Sequence, residues 1–390
     1  MPPPLDGVRV LDVGREIAGP LCARFFSRMG ADVIKVEPPL GDPVRRASTR
    51  PGQARTGESS PGHLYANEGK RSVVIDLTTP SGRGVFLRLV RSADIVIENF
   101  EPSVLPDLGL GYETLRATNP AVILTSISGY GDGGPYRDFQ SRELTLFAMG
   151  GHMFRSGAAD RPPVRMGGHP TEVLAALGAA YATLAALRMR AAGGQHVTFS
   201  IFESQVTSHA QAMVEVSYYG METGGEAPRG AAGIRGLLAR DGLAMISAQE
   251  QQMPRLAALV GAPPELGQVD PMDRGGRRGE LMERVAEWAA ERTAREVYEL
   301  GQGARVPASF VASPQDLLES PQYHHRNFIR EVDQPGLGMV AIPGLPFKWP
   351  ESEVPERPAP LLGEHTVEVL ESVDVTREEI VRLTAAGVVA

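Results

Sequence analysis

VRVLDVGREIAGPLCARFFSRMGADVIKVE, residues 8–37, places one helix-forming run between two short apolar ones. Val8–Val13 predicts a strand, Gly19-Pro20 opens a helix that runs to Met29, and Ala31–Glu37 predicts a second strand. A further unit follows: strand Ser72–Leu77, a helix started by Thr79-Pro80-Ser81 and reaching about Arg91, then strand Asp94–Phe100, with another strand at Ala121–Ser128. Short β-branched strands alternating with amphipathic helices predict an α/β fold with a parallel, doubly wound sheet. Ligands of such sheets bind at the carboxyl ends of the strands, which singles out Asn99-Phe100 and Ser128-Gly129.

The remainder divides by composition. A helix from Glu172 reaches Arg190, where Gly193-Gly194 stop it, and His196–Phe202 predicts a strand. The N-terminal part of the large domain is expected to occupy residues 1–222, a Gly-rich linker residues 223–236, and residues 313–390 a linker and the return to the large domain. Residues 237–312 read as a small α+β domain with a strand at Leu243–Ser247 and helices at Met253–Val260 and Gly279–Leu300. Residues 313–390 hold Pro- and Gly-rich connections and a last short helix announced by the capping-box pattern Thr376-Arg377-Glu378-Glu379.

With 390 residues, more than one core is expected, and 42% hydrophobic with 22% charged residues is an ordinary globular composition. Apolar segments such as Val173–Leu187 fall short of the roughly 20 residues that a membrane span needs. The start, MPPPLDGVRV, lacks the layout of a signal peptide, so a cytoplasmic protein with no membrane partner is expected. The single cysteine, Cys22, excludes an intramolecular disulfide framework and a thiolate metal cluster. A net charge of −8 without an evident basic patch argues against nucleic-acid binding.

Gly129-Tyr130-Gly131-Asp132-Gly133-Gly134 formally fits the dinucleotide fingerprint, but Pro135, Tyr136, Arg137 and Asp138 follow where a helix should begin. A loop whose backbone approaches a substrate suits Gly129, Gly131, Gly133 and Gly134 better. No metal site is expected, because His152, His169, His196 and His209 are scattered and the adjacent His324-His325 cannot share a helix face. No G-x-S-x-G elbow is present either. Glu172 heads a long Ala- and Leu-rich helix, where an acid gains roughly 0.3–1 kcal/mol from the helix dipole. Ala175, Ala176, Gly178, Ala179, Ala180 and Ala182 leave that helix hardly any polar face, so it is expected to be buried, and its carboxylate desolvated, paired or used. Glu143 starts a second apolar run and is a candidate partner acid.

The chain resembles the family III CoA-transferases over nearly its whole length. The motifs are LDGVRVLDVGREIAGP, MGADVIKVEPPLGDPVRR, NEGKRSVVIDL, ADIVIENFEP, NPAVILTSISGYGDGGPY, VTFSIFESQ after Gly193-Gly194-Gln195, and APLLGEHTVEVL. The resemblance implies a Rossmann-like large domain built from both ends of the chain, a small domain, and two chains interlocked as a dimer. A homodimer is implied, and a heteromer with a related subunit is known in the group. It implies coenzyme A as acyl-CoA substrate, a carboxylic acid as the other, and no metal.

The nucleophile of the family is an aspartate at the position of Glu172, so this chain departs from the pattern. Glutamate does the same covalent chemistry in class I CoA-transferases, and its extra methylene moves the oxygens by about 1.5 Å. Glu143 matches an acidic position expected to orient Glu172 or share a proton with it, while the glycine loops and the first-turn N–H groups of the Glu172 helix are expected to stabilise the oxyanion. CoA-matched positions are Ile17 and Ala18, the segment Ile75-Asp76-Leu77-Thr78, and Asn99-Phe100-Glu101; Arg45, Arg46, Lys70 and Arg71 are the candidates for its phosphates. Asp107 and Pro38 stand where the family often has arginine. Arg142-Glu143 replaces the His–Asp pair of the racemase branch, and Arg cannot exchange a proton near neutrality, which argues against racemization. Two other readings stay open: a non-catalytic subunit of a heteromeric transferase, and a CoA-thioester isomerase or lyase with Glu172 as general base.

Overall fold

The computed structural model describes residues 1–47, 60–157, 162–220, 235–268, 276–349, 351–352 and 354–390. The chain forms two compact units. The first comprises Met1–Ser156, Pro163–Met221 and His325–Ala390; the second comprises Gly157–Pro162 and Glu222–His324. Most of the expected linker, with Gly224-Gly225, lies outside the described residues, and its last two positions already begin a strand.

In the first unit β1 (Arg9–Asp12), β2 (Asp32–Glu37), β3 (Arg71–Val74), β4 (Ile95–Glu98), β5 (Ile123–Ser128) and β6 (His196–Ser200) form one sheet in the order β3-β2-β1-β4-β5-β6. Every neighbouring pair is parallel, so the expected Rossmann-like doubly wound sheet is present, with its switch point between β1 and β4. Both faces are covered because successive side chains alternate. Leu11, Val96 and Leu124 join Val85, Phe86 and Leu89 of the Pro80–Arg91 helix, together with Val369 and Ile380 from the C-terminal helices. Val10, Ile95, Ile97 and Ile123 face Leu21, Cys22 and Phe26 of the Ala18–Ser27 helix and the alanines of Pro170–Met189. Each fully buried side chain such as Phe86 or Leu21 contributes about 1.5–3 kcal/mol. The C-terminal residues complete this unit through a bridge between Ile75 and Val389.

Several boundaries move. The strand expected to reach Phe202 ends at Ser200, whose hydroxyl accepts from the Glu203 N–H at 3.2 Å and caps the helix Ile201–Ser208. Gly279–Leu300 is two helices, Arg277–Ala290 and Ala294–Gly303, because Thr293 and Glu296 form a capping box that starts the second. The Pro170–Met189 helix has 20 residues, so it is long and apolar enough for a membrane span, contrary to the length reading. It is also not buried all round: Ala175, Ala176, Ala179 and Thr183 pack inward, while Leu177 and Tyr181 are exposed. A hairpin that composition hid, β10 (Ile329–Gln334) and β11 (Gly338–Pro343), turns through Gly336, whose φ of +78° suits a residue without Cβ.

The second unit is a three-stranded antiparallel sheet of β7 (Arg235–Leu238), β8 (Leu243–Ile246) and β9 (Ala308–Phe310), in that order. Leu256, Leu281, Val285 and Val297 from its helices pack on Leu237, Ala244 and Ile246.

Candidate active site

Glu172 lies in the first turn of its helix, where Pro170 needs no N–H partner. Its side chain is 16% exposed and Oε2 is 2.7 Å from Nδ1 of His169. The i, i+3 spacing of His169 and Glu172 in HPTE is the signal for this pair, although the histidines read as scattered. Glu143 begins the Glu143–Met149 helix and aims at the same turn. Its Oε1 accepts from the Thr171 N–H at 3.2 Å and its Oε2 from the Glu172 N–H at 3.4 Å, with the Thr171 hydroxyl donating as well. Glu143 thus neutralises the positive end of the Pro170–Met189 helix from a different element. This corrects the expected oxyanion donors: the first-turn N–H groups of Thr171 and Glu172 are already occupied, and the Val173 N–H bonds to the His169 carbonyl. Burial raises the Glu172 carboxyl above its ordinary value; His169 opposes the rise, and Glu143 and Glu16 add to it.

A cleft of about 550 Å³ opens beside Glu172, lined by Arg15, Asn99, Phe100, Glu101, Gly129 and Glu143 among others. It stands at the carboxyl ends of β4 and β5, as the sheet topology requires. Among the four glycines, Gly129 lines it; Gly131 is half-buried outside it, and Gly133 and Gly134 are exposed beyond it. Gly129 fits because a Cβ there would fall 2.1 Å from Ser141 Oγ. Asn99 braces the switch point: Oδ1 accepts from the Arg15 N–H at 2.7 Å and Nδ2 donates to the Arg15 carbonyl at 2.9 Å. The Phe100 ring lies 4.9 Å below the Arg15 guanidinium, and Glu101 accepts from Gln140 at 3.3 Å. Ile17 is half-buried at the start of the next helix and Ala18 is buried within it.

Other CoA-matched positions lie apart from the cleft. Ile75 is buried; Asp76 accepts from the Thr78 N–H at 2.9 Å, and the Leu77 and Thr78 carbonyls accept from Arg83. The phosphate candidates are corrected most strongly. Arg45 is buried in a fork on Glu37, with both contacts 2.7 Å, because it sits on a one-turn helix against β2. Lys70 is buried with Nζ bonded to Asp12 at 2.7 Å, the Pro20 carbonyl at 2.7 Å and Asn67 at 2.8 Å. Arg71 pairs with Asp32 at 2.6 Å and Glu368 at 2.9 Å, while exposed Arg46 donates to the Leu40 carbonyl. Neither Arg45 nor Lys70 offers a donor to a ligand; both belong to the interior.

Glu143, His169 and Glu172 present ligand-type atoms within 4.8 Å of one another, a set that would admit a cation and that chain spacing conceals. Each residue is engaged in a hydrogen bond, through the helix end or the His169–Glu172 pair. Behind the cleft, Glu98 is buried, and that burial pushes its carboxyl up to about 7 against hydrogen bonds from Ser126 and the Phe100 N–H. A folded pKa above the ordinary value means that this group's stabilising contribution is complete below about pH 4.5 and is lost as pH rises through 7. Glu98→Gln should therefore raise stability by about 3 kcal/mol at pH 8 and by under ~1 kcal/mol at pH 5. Urea titrations at the two pH values check this; an equal difference at both would refute it.

The chain matches the family described as CoA-transferase family III over residues 5–366. Succinyl-CoA:mesaconate CoA-transferase of Haloarcula hispanica is 35% identical, covering 95% of this chain and 96% of its own. Succinyl-CoA–D-citramalate CoA-transferase of Chloroflexus aurantiacus is 34% identical, covering 100% and 98%. The crystal structure of a CAIB/BAIF family protein from Brucella suis aligns with a TM-score of 0.82 at 30% identity, over 96% of this chain and 100% of that one. Because the match spans the sheet, the cleft and the returning C-terminal segment alike, the chain belongs to CoA-transferase family III.

Proposed function

We propose that this chain moves CoA from an acyl-CoA donor to a free carboxylic acid, with Glu172 as the covalent carrier. The observation that supports this best is a mostly buried carboxylate at a helix start, facing a cleft shared with Asn99, Phe100 and Glu101. The Glu172 carboxylate attacks the thioester carbonyl and expels CoA thiolate, giving an acyl-glutamyl anhydride. The thiolate then attacks the glutamyl carbonyl, forming the enzyme thioester and releasing the donor acid. The acceptor carboxylate attacks that thioester and expels CoA thiolate, which takes the acyl group from the second anhydride and frees Glu172. One thioester replaces another, so no ATP is required.

Glu143 holds the first turn in place by accepting from its N–H groups, and His169 fixes the Glu172 carboxyl on one side. Succinyl-CoA, the donor in both relatives' names, is the first donor to try. Incubation with succinyl-CoA and then hydroxylamine should convert Glu172 to its hydroxamate, adding one mass shift to a single peptide. An unmodified peptide across a panel of acyl-CoAs would overturn the proposal and leave a non-catalytic subunit. The His169–Glu172 contact supports one rival, removal of an α-proton by Glu172. Deuterium uptake at the acyl α-carbon without acyl exchange would select it.

A further inference from the structure

We infer that Arg142 and Arg165 bind the second carboxylate of a dicarboxylic substrate, making this cleft selective for dicarboxylic acids and their CoA thioesters. The inference rests on the transferase reading above and adds its substrate class.

Among the described residues, four arginines line the Glu172 cleft: Arg15, Arg137, Arg142 and Arg165. Arg137 is occupied, with Nε on the Asp132 carbonyl and Nη1 on Asp138, both at 2.9 Å. Arg15 stacks on Phe100 and is clamped by Asn99, which places it with the CoA-matched positions. Arg142 and Arg165 remain. Arg142 is 79% exposed and its nearest carboxylate oxygen, on Glu16, is 3.8 Å away, too far for a hydrogen bond. Arg165 reaches no carboxylate among the described residues; its Nη1 meets only the Gly168 carbonyl, at 3.5 Å.

Their sequence neighbours bracket the reacting group. Arg142 precedes Glu143, which holds the Glu172 turn, and Arg165 folds onto Gly168, next to His169. In a four-carbon dicarboxylic chain, three carbon–carbon bonds of about 1.5 Å set the second carboxyl roughly 4 Å from the first, and the cleft that Glu172 faces is the one both arginines line. Guanidinium groups bind carboxylates in a two-point fork that a monocarboxylic chain cannot offer. Ile127, Tyr130, Phe139 and Leu146 of the same cleft supply apolar wall for the methylenes.

The test compares matched chains, succinyl-CoA against butyryl-CoA and glutarate against valerate, in wild type, Arg142→Gln and Arg165→Gln. The wild type should prefer the dicarboxylic member of each pair. Each substitution should lower kcat/KM for that member by roughly 10- to 100-fold, mainly through KM, and leave the monocarboxylic member within about threefold. Arg165→Lys should recover part of the loss. Equal losses in both series, or a wild type without preference, overturn the inference while hydroxamate formation at Glu172 keeps the transferase reading intact. Absence of both exchange and hydroxamate overturns the transferase reading itself, and the inference with it.

Discussion

Glu172→Gln is expected to lower acyl exchange by at least about 10⁴-fold and to abolish the hydroxamate, because the amide offers no anionic oxygen to the thioester carbonyl. The loss should appear in kcat, with CoA-thioester binding retained, since the cleft walls at Asn99 and Phe100 are untouched. Glu172→Asp is the more informative change. It restores the residue type that the family resemblance associates with this position but withdraws the oxygens by about 1.5 Å from a site shaped for glutamate. A misplacement of that size should cost on the order of 100-fold. In the wild type, the acid limb of kcat/KM should lie above the ordinary carboxylate range, because burial, Glu143 and Glu16 raise the Glu172 carboxyl. Stopped exchange assays with mass analysis of the Glu172 peptide measure all three. Exchange within tenfold of wild type in Glu172→Gln would end the covalent mechanism.

Asp12→Ala is expected to cost about 3–5 kcal/mol, a large share of the 5–15 kcal/mol that typically separates folded from unfolded protein. Asp12 ends β1 with no exposure, and its Oδ2 lies 2.7 Å from Lys70 Nζ and 3.7 Å from Lys35 Nζ. Removing it takes the ion-pair partner from the buried Lys70 ammonium and leaves Lys35 on Asp42, at 3.0 Å. Burial pushes the Lys70 ammonium down to about 8 against the pull of Asp12. Lys35 is likewise lowered by burial, but Asp12, Asp42 and Glu37 outweigh that and raise it. The double change Asp12→Leu with Lys70→Met should be far milder than Asp12→Ala, since it removes a pair rather than one partner. Urea denaturation of the three proteins decides; a cost below ~1 kcal/mol for Asp12→Ala would show that the network is not carried by this carboxylate.

That network also shows why residue type alone does not place a charge. Lys70 and Arg45 have the residue type of phosphate ligands, yet both are buried, and charge in a sequence does not carry its depth. Lys35 in ADVIKVE was the available clue: a lysine between apolar strand residues in a central strand must find buried carboxylates, and Asp12 and Asp42 supply them. The Gly129–Gly134 loop is divided for a related reason. Composition marks a loop as able to approach a ligand, but only packing against Ser141 places Gly129 at the cleft and leaves Gly133 and Gly134 outside.

By itself, the sequence determined the alternating strands and helices, the parallel sheet and the place of Glu172 at the head of an alanine-rich helix. These follow from period-two and helical apolar patterns and from an acid heading an alanine-rich run, all of which are local in the chain. Only the tertiary structure decided that Glu143 caps the helix of Glu172 across a gap of 28 or 29 residues, that Arg142 and Arg165 share its cleft, and that Lys70 turns inward. Those are contacts between elements. Their geometry is set by how whole helices and strands pack, a quantity that no short window of residues contains.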